Sequence, residues 1–322
     1  MELFFTSLAS IFSTPYYFGL MLNTASLFMT AALSAAICIK SGEFNLGSEG
    51  QIYAGGFFTA ITLSALKNCN PFLAVSLCFF ISAVVSGGIA LISALLKKYR
   101  NASFLLTSFI ISAAIVPLID GLISGPFRSE SVNLLSTAFI PEKFRFKSIL
   151  PPSPLNAFFF TAILLCVAGG FLIYKTAYGK KLCIFGKAPL FARYSGFSDK
   201  SILFSASFIS GALNGITGAA AVTGTYFTCH KGFAGAFGWN ALSVAMIAGS
   251  NPFLIVPSSL FLSTILTAAD KTSLFSRSGF DISSMIQAVI LFLIAIPFTK
   301  NITNKIGINR FVASRGQKCF LI

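Results

Sequence analysis

Apolar runs of about 20 residues, the length a helix needs to cross a hydrocarbon core of about 30 Å, recur along this chain with only short polar breaks between them. They fall over 16–38, 45–66, 71–96, 103–124, 155–174, 201–226, 235–249, 252–269 and 283–299. Such a chain cannot cover itself with polar surface in water. It is 55% hydrophobic and 10% charged, where a soluble domain carries about 25% charged residues, and its mean hydropathy is +0.84. The expected fold class is an all-α integral membrane protein, a polytopic helical bundle of about 8–10 transmembrane segments, some of them broken or re-entrant.

Organisation follows from the breaks. Residues 1–15 are apolar but too short to cross, and Pro15 separates them from the next run, so a short interfacial segment is expected there. Residues 16–300 read as one transmembrane domain, and 301–322 as a basic cytoplasmic tail. Met1-Glu2 gives no positively charged leader, so the first span is expected to act as its own insertion signal. The formal charge of +14 fits the positive-inside rule for loops better than a nucleic-acid partner. Counting back from the tail, alternation puts KSGE (40–43), KKYR (97–100) and the loop 175–200 on the tail's side, and together with the tail from Lys300 these segments hold 15 of the 23 Lys and Arg residues. Seven cysteines, odd in number and without a CxxC pair, suggest neither a disulfide framework nor a zinc site.

Two stretches carry more polarity than their surroundings warrant. The first is SGEFNLGSEGQIYAGG (41–56). A charge at mid-bilayer costs about 2.5–3.5 kcal/mol, so Glu49 has to face protein, water or headgroups. Five glycines around it suit a broken helix lining a cavity, where Asn45, Glu49 and Gln51 offer hydrogen bonds to a polar solute. The structural alternative, compatible with the first, is that Glu49 caps a helix N-terminus. Glu43 reads as an interfacial residue with no special duty. The second stretch, GTYFTCHKGFAGAFGWNALSVAMIAGSNP (224–252), holds the chain's one His, His230, and its one Trp, Trp239. A lone His there reads first as structural, and Trp239 as a headgroup anchor. Gly211 and Gly215 have the GxxxG spacing of close helix packing, with Asn214 between them as an interhelical hydrogen-bond candidate. Asp120 stands near the end of its span, as either an interfacial or a vestibule residue.

The loop 175–200 contains APLFARYSG, which sets Leu190, Phe191 and Tyr194 at helical spacing among basic residues. Such a helix lies on a membrane surface or fits a partner's groove. No G-x-x-x-x-G-K-[ST] occurs, and neither a nucleophile elbow nor an HExxH helix, so any ATP-driven work has to come from another subunit.

Four stretches in order resemble one family, the permease subunits of bacterial ABC importers for nucleosides and simple sugars, within the group that includes ribose and branched-chain amino-acid permeases. GEFNLGSEGQ resembles the signature G-x-x-N-[IL]-G-x-E-G-Q. NASFLLTSFIISAAIVPLIDGLISGP is similar to a helix that opens N-E-x-I-x-T-x-M and ends in a G-P loop, with Ala102 where an acidic residue is common. YGKKLCIFGKAPLFARYSG looks like the ATPase-coupling loop G-x-x-x-R-A-x-G-x-N-P-x-A-A-R-Y-A-G, with Ala188 in place of Asn. SGALNGITG and AFGWNALSVAMIAGSNP resemble the blocks S-G-A-L-A-G-L-A-G and G-F-x-x-I-A-V-A-L-x-G-x-N-P.

The resemblance implies a non-enzymatic transport subunit with no cofactor of its own, ATP being used by a separate ATPase. It implies a second permease, identical or paralogous, two ATPases, and an extracytoplasmic binding protein or lipoprotein that delivers the solute. The cargo implied is a nucleoside, a purine nucleoside or related riboside in the first instance, with simple sugars or branched-chain amino acids as alternatives. The family's motifs map the translocation path onto Asn45, Glu49, Gln51, Trp239 and Asn240, and the ATPase contact onto a short helix around 186–196 with Gly186, Pro189, Ala192, Arg193 and Gly196. An ion-coupled secondary transporter is the competing class, and Glu49 is its one good ion carrier.

Overall fold

A computed structural model of the chain describes residues 2–129 and 134–275, and beyond them the single positions 285, 288, 289 and 292. The expected span over 283–299, those four positions apart, and the tail 301–322 lie outside the described residues. A short helix α1 (Glu2–Ser13) is followed by α2 (Pro15–Lys40), α3 (Ser48–Ala65), α4 (Pro71–Arg100) and α5 (Phe104–Ser124). After a long loop come α6 (Phe158–Lys175), α7 (Ala177–Lys187) and α8 (Pro189–Tyr194). Then α9 (Asp199–Ala221) runs on into a π turn (Val222–Tyr226), and α10 (Phe237–Ile247) and α11 (Pro252–Phe275) complete the bundle. Six of these helices, α2, α4, α5, α6, α9 with its π turn, and α11, are long and apolar enough to span a membrane. α3 follows the break anticipated from the polar stretch 41–56, and α10 is a shorter apolar helix of 11 residues.

The elements start and stop where local chemistry dictates. Pro15 and Pro71 occupy first-turn positions, where the missing N–H costs nothing. Asn70 caps α4 by accepting from Phe72 N at 3.1 Å, and Asn101 ends it in the left-handed region (φ 52°). Lys40, Lys97, Lys98, Arg100 and Lys175 sit in last turns, where they complement the helix dipole. Cys38, Ala94, Phe104 and Leu203 pack together, so α2 and α4 end, and α5 and α9 begin, at one end of the bundle. Tyr174 stacks on Phe253 there (6.1 Å), which puts the start of α11 at the same basic end. At the opposite end Asn156 donates to Asn23 Oδ1 (3.1 Å) and to Gly224 O (3.2 Å), joining the starts of α2 and α6 to the π turn.

Residue size decides which helices are central. The most apolar window of α2 is 83% buried, against 22% for α5. α2 is lined with Ala25, Ser26, Thr30, Ala31, Ala32, Ser34, Ala35 and Ala36, small on every side, and so accepts neighbours all round. α4, α5 and α6 instead turn Phe80, Phe109, Ile110, Leu164 and Phe171 outward, an apolar girdle suited to acyl chains or to another membrane subunit. The Gly211–Gly215 pair packs as its spacing predicts. A Cβ on Gly211 would stand 2.7 Å from Ala90 Cβ and 2.9 Å from Gly87 Cα, and one on Gly215 would overlap the backbone of Ser82. α3 joins the same contact, with Gly55 against Gly215 O.

α1 packs Ile11 against Met21 and Ala268. Lys271 Nζ of α11 donates to Ser10 Oγ (2.6 Å) and lies 4.1 Å above the Tyr17 ring. The N-terminal segment is therefore fastened to the bundle's edge.

Gly215→Ala should lower the thermal stability of the purified protein in detergent by about 1–3 kcal/mol, because backbones on both sides block any relief. Gly88→Ala, where an added Cβ meets nothing within 4 Å, should leave it unchanged.

Candidate functional site

Between α2 and α3 the chain leaves helical geometry while still inside the bundle. Gly42 takes a left-handed conformation (φ 83°), and residues 43–47 climb to the level of Ser210, eleven residues into α9 and so roughly 16 Å from its start. No water is available at that depth, so each freed backbone group needs a protein partner. Side chains supply them. Leu46 N donates to Ser108 Oγ (3.2 Å), Gly50 N to Ser112 Oγ (2.8 Å), and Gly47 N to Asn45 Oδ1 (2.9 Å).

Asn45 and Gln51 are 3% and 1% exposed, and face each other. Asn45 Nδ2 donates to Gln51 Oε1 (3.0 Å) and to Ser210 Oγ (3.0 Å), and Gln51 Nε2 returns to Asn45 Oδ1 (3.3 Å). Asn214 Nδ2 donates to Gln51 Oε1 (2.8 Å), the interhelical bond its position in α9 suggested. Ser210 Oγ also pairs with Ser34 Oγ (2.9 Å). The two carboxamides thus bind the break to α9 and α2, and their hydrogen bonds are committed to protein.

The second break lies between the π turn and α10. Phe227, Gly232 and Ala236 have φ of 57°, 74° and 65°, which bends the chain back toward α3. Gly238 then packs directly on Glu49, where a Cβ would lie 2.7 Å from Glu49 N and 3.1 Å from its Cα. Glu49 stands in the first turn of α3, and its Oε1 accepts from Ala236 N (3.4 Å) at the start of α10. The Trp239 side chain stands beside the same carboxylate. The cap and the cavity readings of Glu49 therefore coincide, since one carboxylate faces the positive ends of two short helices.

Beside it lies a small hollow walled by Asn45, Leu46, Ser48, Glu49, Gly238, Trp239 and Leu242. Phe109 of α5 meets the Trp239 ring edge-on at 6.5 Å. Of the five path candidates, Asn45, Glu49 and Trp239 come together here. Gln51 is one layer behind, and Asn240 is 8% exposed on α10 with its Oδ1 unpartnered, outside the walls. Ser48, Gly238 and Phe109 went unnoticed in the sequence. Gly238 precedes Trp239 and was open to suspicion as a close-approach glycine, whereas Phe109 is one of 37 phenylalanines and carried no signal.

At the loop end, the Tyr53 hydroxyl donates to the Asp120 carboxylate and accepts from Gly232 N (3.2 Å), joining α3, α5 and the second break. Tyr226, His230 and Phe233 pack ring against ring at 5.0–5.9 Å. Loop segment 134–146 lies across them, with Ile140 N donating to Phe227 O (2.9 Å) and Phe146 N to Thr223 O (3.0 Å). Asp120 is thus a latch residue and His230 a packed ring.

At the basic end, the single short helix expected around 186–196 is two. α7 stops at Lys187 and α8 starts at Pro189, because proline disfavours helical geometry in the residue before it and Ala188 sits at φ −143°, ψ 73°. Ala192 is the buried residue of α8, Arg193 lies in the same helix, and Gly196 follows it at φ 78°. Leu190, Phe191 and Tyr194 are 66%, 61% and 91% exposed, an apolar face that none of the described residues covers. Gly186 backs onto Gly42, and a Cβ on Gly42 would be 3.0 Å from Gly186 Cα. Glu43, read from sequence as idle, forms an ion pair with Lys97 of α4.

A family model for the permease component of branched-chain amino acid transport systems matches residues 17–295. The chain belongs to this permease family. It is 34% identical over 293 residues to a protein of Treponema pallidum described as a probable riboflavin import permease, covering 90% of this chain and 78% of that one. It is 26% identical to a glucose ABC transporter permease of Haloferax volcanii (87% and 76% covered). It is 24% identical to a nucleoside ABC transporter permease of Lactococcus lactis (92% and 83% covered). A solved structure of a metal-chelate type ABC transporter in an inward-facing conformation shares the fold, with a TM-score of 0.50 at 15% identity over 89% of this chain and 87% of that one. The permease is a multi-pass protein of the cytoplasmic membrane.

Gln51→Met should destabilise the folded permease by about 1–3 kcal/mol by stranding the buried amides of Asn45 and Asn214. Gln51→Met combined with Asn214→Leu should cost less than the sum of the two, a coupling that thermal unfolding of the four proteins measures directly.

Proposed function

We propose that this chain is the membrane-spanning permease subunit of an ABC importer whose cargo is a nucleoside or a similar neutral riboside or ribityl compound, riboflavin included. One observation carries the reading of the site. A carboxylate and an indole share the wall of a pocket at the meeting point of two broken helices, and the carboxylate is the charged group among its lining residues. Polar groups held at such a break meet a solute that has shed its water. The Trp239 ring in the pocket wall offers a flat heterocycle a stacking face that a bare sugar or an aliphatic amino acid does not exploit. The names of the relatives, riboflavin and nucleoside among them, support the same class of cargo, while the glucose relative keeps the sugar reading as its rival.

The energy comes from outside the chain. By the positive-inside rule, the end carrying Lys40, Lys97, Lys98, Arg100 and Lys175 is cytoplasmic, and α7–α8 belong to it. The bare apolar face of Leu190, Phe191 and Tyr194 fits a groove on an ATPase subunit. A second permease against the exposed girdle and an extracytoplasmic receptor over the loop end complete the importer. ATP-driven movement of the docked helices opens the pocket to each side in turn.

The complex with its ATPase and receptor in proteoliposomes should take up labelled nucleoside or riboflavin only with ATP. Uptake driven by an ion gradient with no ATPase present would reject the proposal in favour of a secondary transporter. Trp239→Ala should raise KM about fivefold, corresponding to an aromatic contact of about 1 kcal/mol, without loss of thermal stability. Phe191→Asp should strip the ATPase from the purified permease while leaving membrane insertion intact.

A further inference from the structure

The proposed function leaves a mechanical gap: α8 meets the ATPase at one end of the bundle, and the pocket lies inside it. Among the described residues a short path of packing contact followed by chain joins them. Gly186, in the last turn of α7, rests on Lys40 and Gly42 with no room for a side chain on either glycine. Gly42 begins the irregular stretch, and its positive φ makes it the compliant point between the rigid α2 and the residues above. The next residue, Glu43, is only 12% exposed and is held by Lys97 of α4. Two residues further, Asn45 walls the pocket, and Glu49 follows at the start of α3.

We propose that residues 42–47 are the transmission element of the importer, with Gly42, Glu43 and Gly186 as positioning residues that carry movement of α7–α8 to the pocket. This rests on the permease reading given above. The competing route, through the body of α2, is closed, because that helix is 83% buried and locked by close packing on every side. Between Glu43 N, which still donates to Cys38 O at the end of α2, and Gly47 O, which accepts the first bond of α3 from Gln51 N, residues 44–46 make no backbone hydrogen bonds of helical type that would resist movement. It is steered at its base by two contacts that differ in kind. The glycine–glycine contact transmits push from α7, and the ion pair fixes the stretch to α4, so that a shift of α7 against α4 has to be taken up between them.

The test uses the whole importer in proteoliposomes, recording ATP hydrolysis and solute uptake together. Glu43→Lys and Lys97→Glu should each leave ATPase binding and hydrolysis at the parent level and lower the solute moved per ATP by about tenfold or more. The double exchange, which restores opposite charges, should return that ratio towards the parent value. Gly186→Ala should uncouple in the same way; if it does not assemble, Glu43→Gln takes its place and the same ratio decides. The inference is overturned if the single charge reversals leave the ratio unchanged, if hydrolysis falls in step with uptake, or if the double exchange does not recover. A parent complex without ATP-driven uptake would instead remove the permease reading itself, which separates the two failures.

Discussion

The absence of water in the membrane interior governs the rest of this structure. Helices satisfy that condition by themselves, but the breaks at 41–47 and 227–236 do not, and each stands only because side chains take over the lost partners. At the first break the work falls to Asn45, Gln51, Ser108, Ser112 and Ser210, drawn from four elements. This explains why residues that look like solute ligands are largely occupied with protein. Removing one of them leaves its partners stranded at low dielectric, which costs more than the bond was worth.

Close approach of the helices is the second requirement, because short side chains such as Ser and Asn reach a neighbour only when backbones nearly touch. The glycines of α3, α4 and α9 provide this, and the same contacts make α2 and α9 the interior of the bundle. Larger residues are pushed to the outside on α4, α5 and α6. The penalty of about 2.5–3.5 kcal/mol for placing Glu49 at depth is offset by the backbone N–H of Ala236 and two helix N-termini. The carboxylate therefore belongs to the architecture as well as to the pocket, and a loop of low helical content links it to the surface where α7 lies.

The amino-acid order made much of this visible. GEFNLGSEGQ announced a break because three glycines and five hydrogen-bonding side chains cannot be the middle of a lipid-facing helix. Gly211 and Gly215 announced a packing face, and the structure puts α3 and α4 against it. Other residues gave no sign. Glu43 looked like any interfacial carboxylate, since its partner Lys97 is 54 positions away. Phe109 acquires meaning only from the ring opposite it. Asn240 promised a path residue by its place after Trp239, yet successive helix positions point about 100° apart, so the two do not share the pocket.

By itself the sequence determined what the solvent of this protein is, how many apolar segments it has to accommodate and where those segments give way, because each of these depends on local hydropathy, proline and glycine. The tertiary structure alone decided that two breaks far apart in the chain meet at Glu49, that Asn45 and Gln51 clamp each other, and that Gly42 rests on Gly186. Those outcomes depend on which helix faces stack at backbone distance. Many pairings of small-residue faces satisfy the same local pattern, and only the packed bundle selects one.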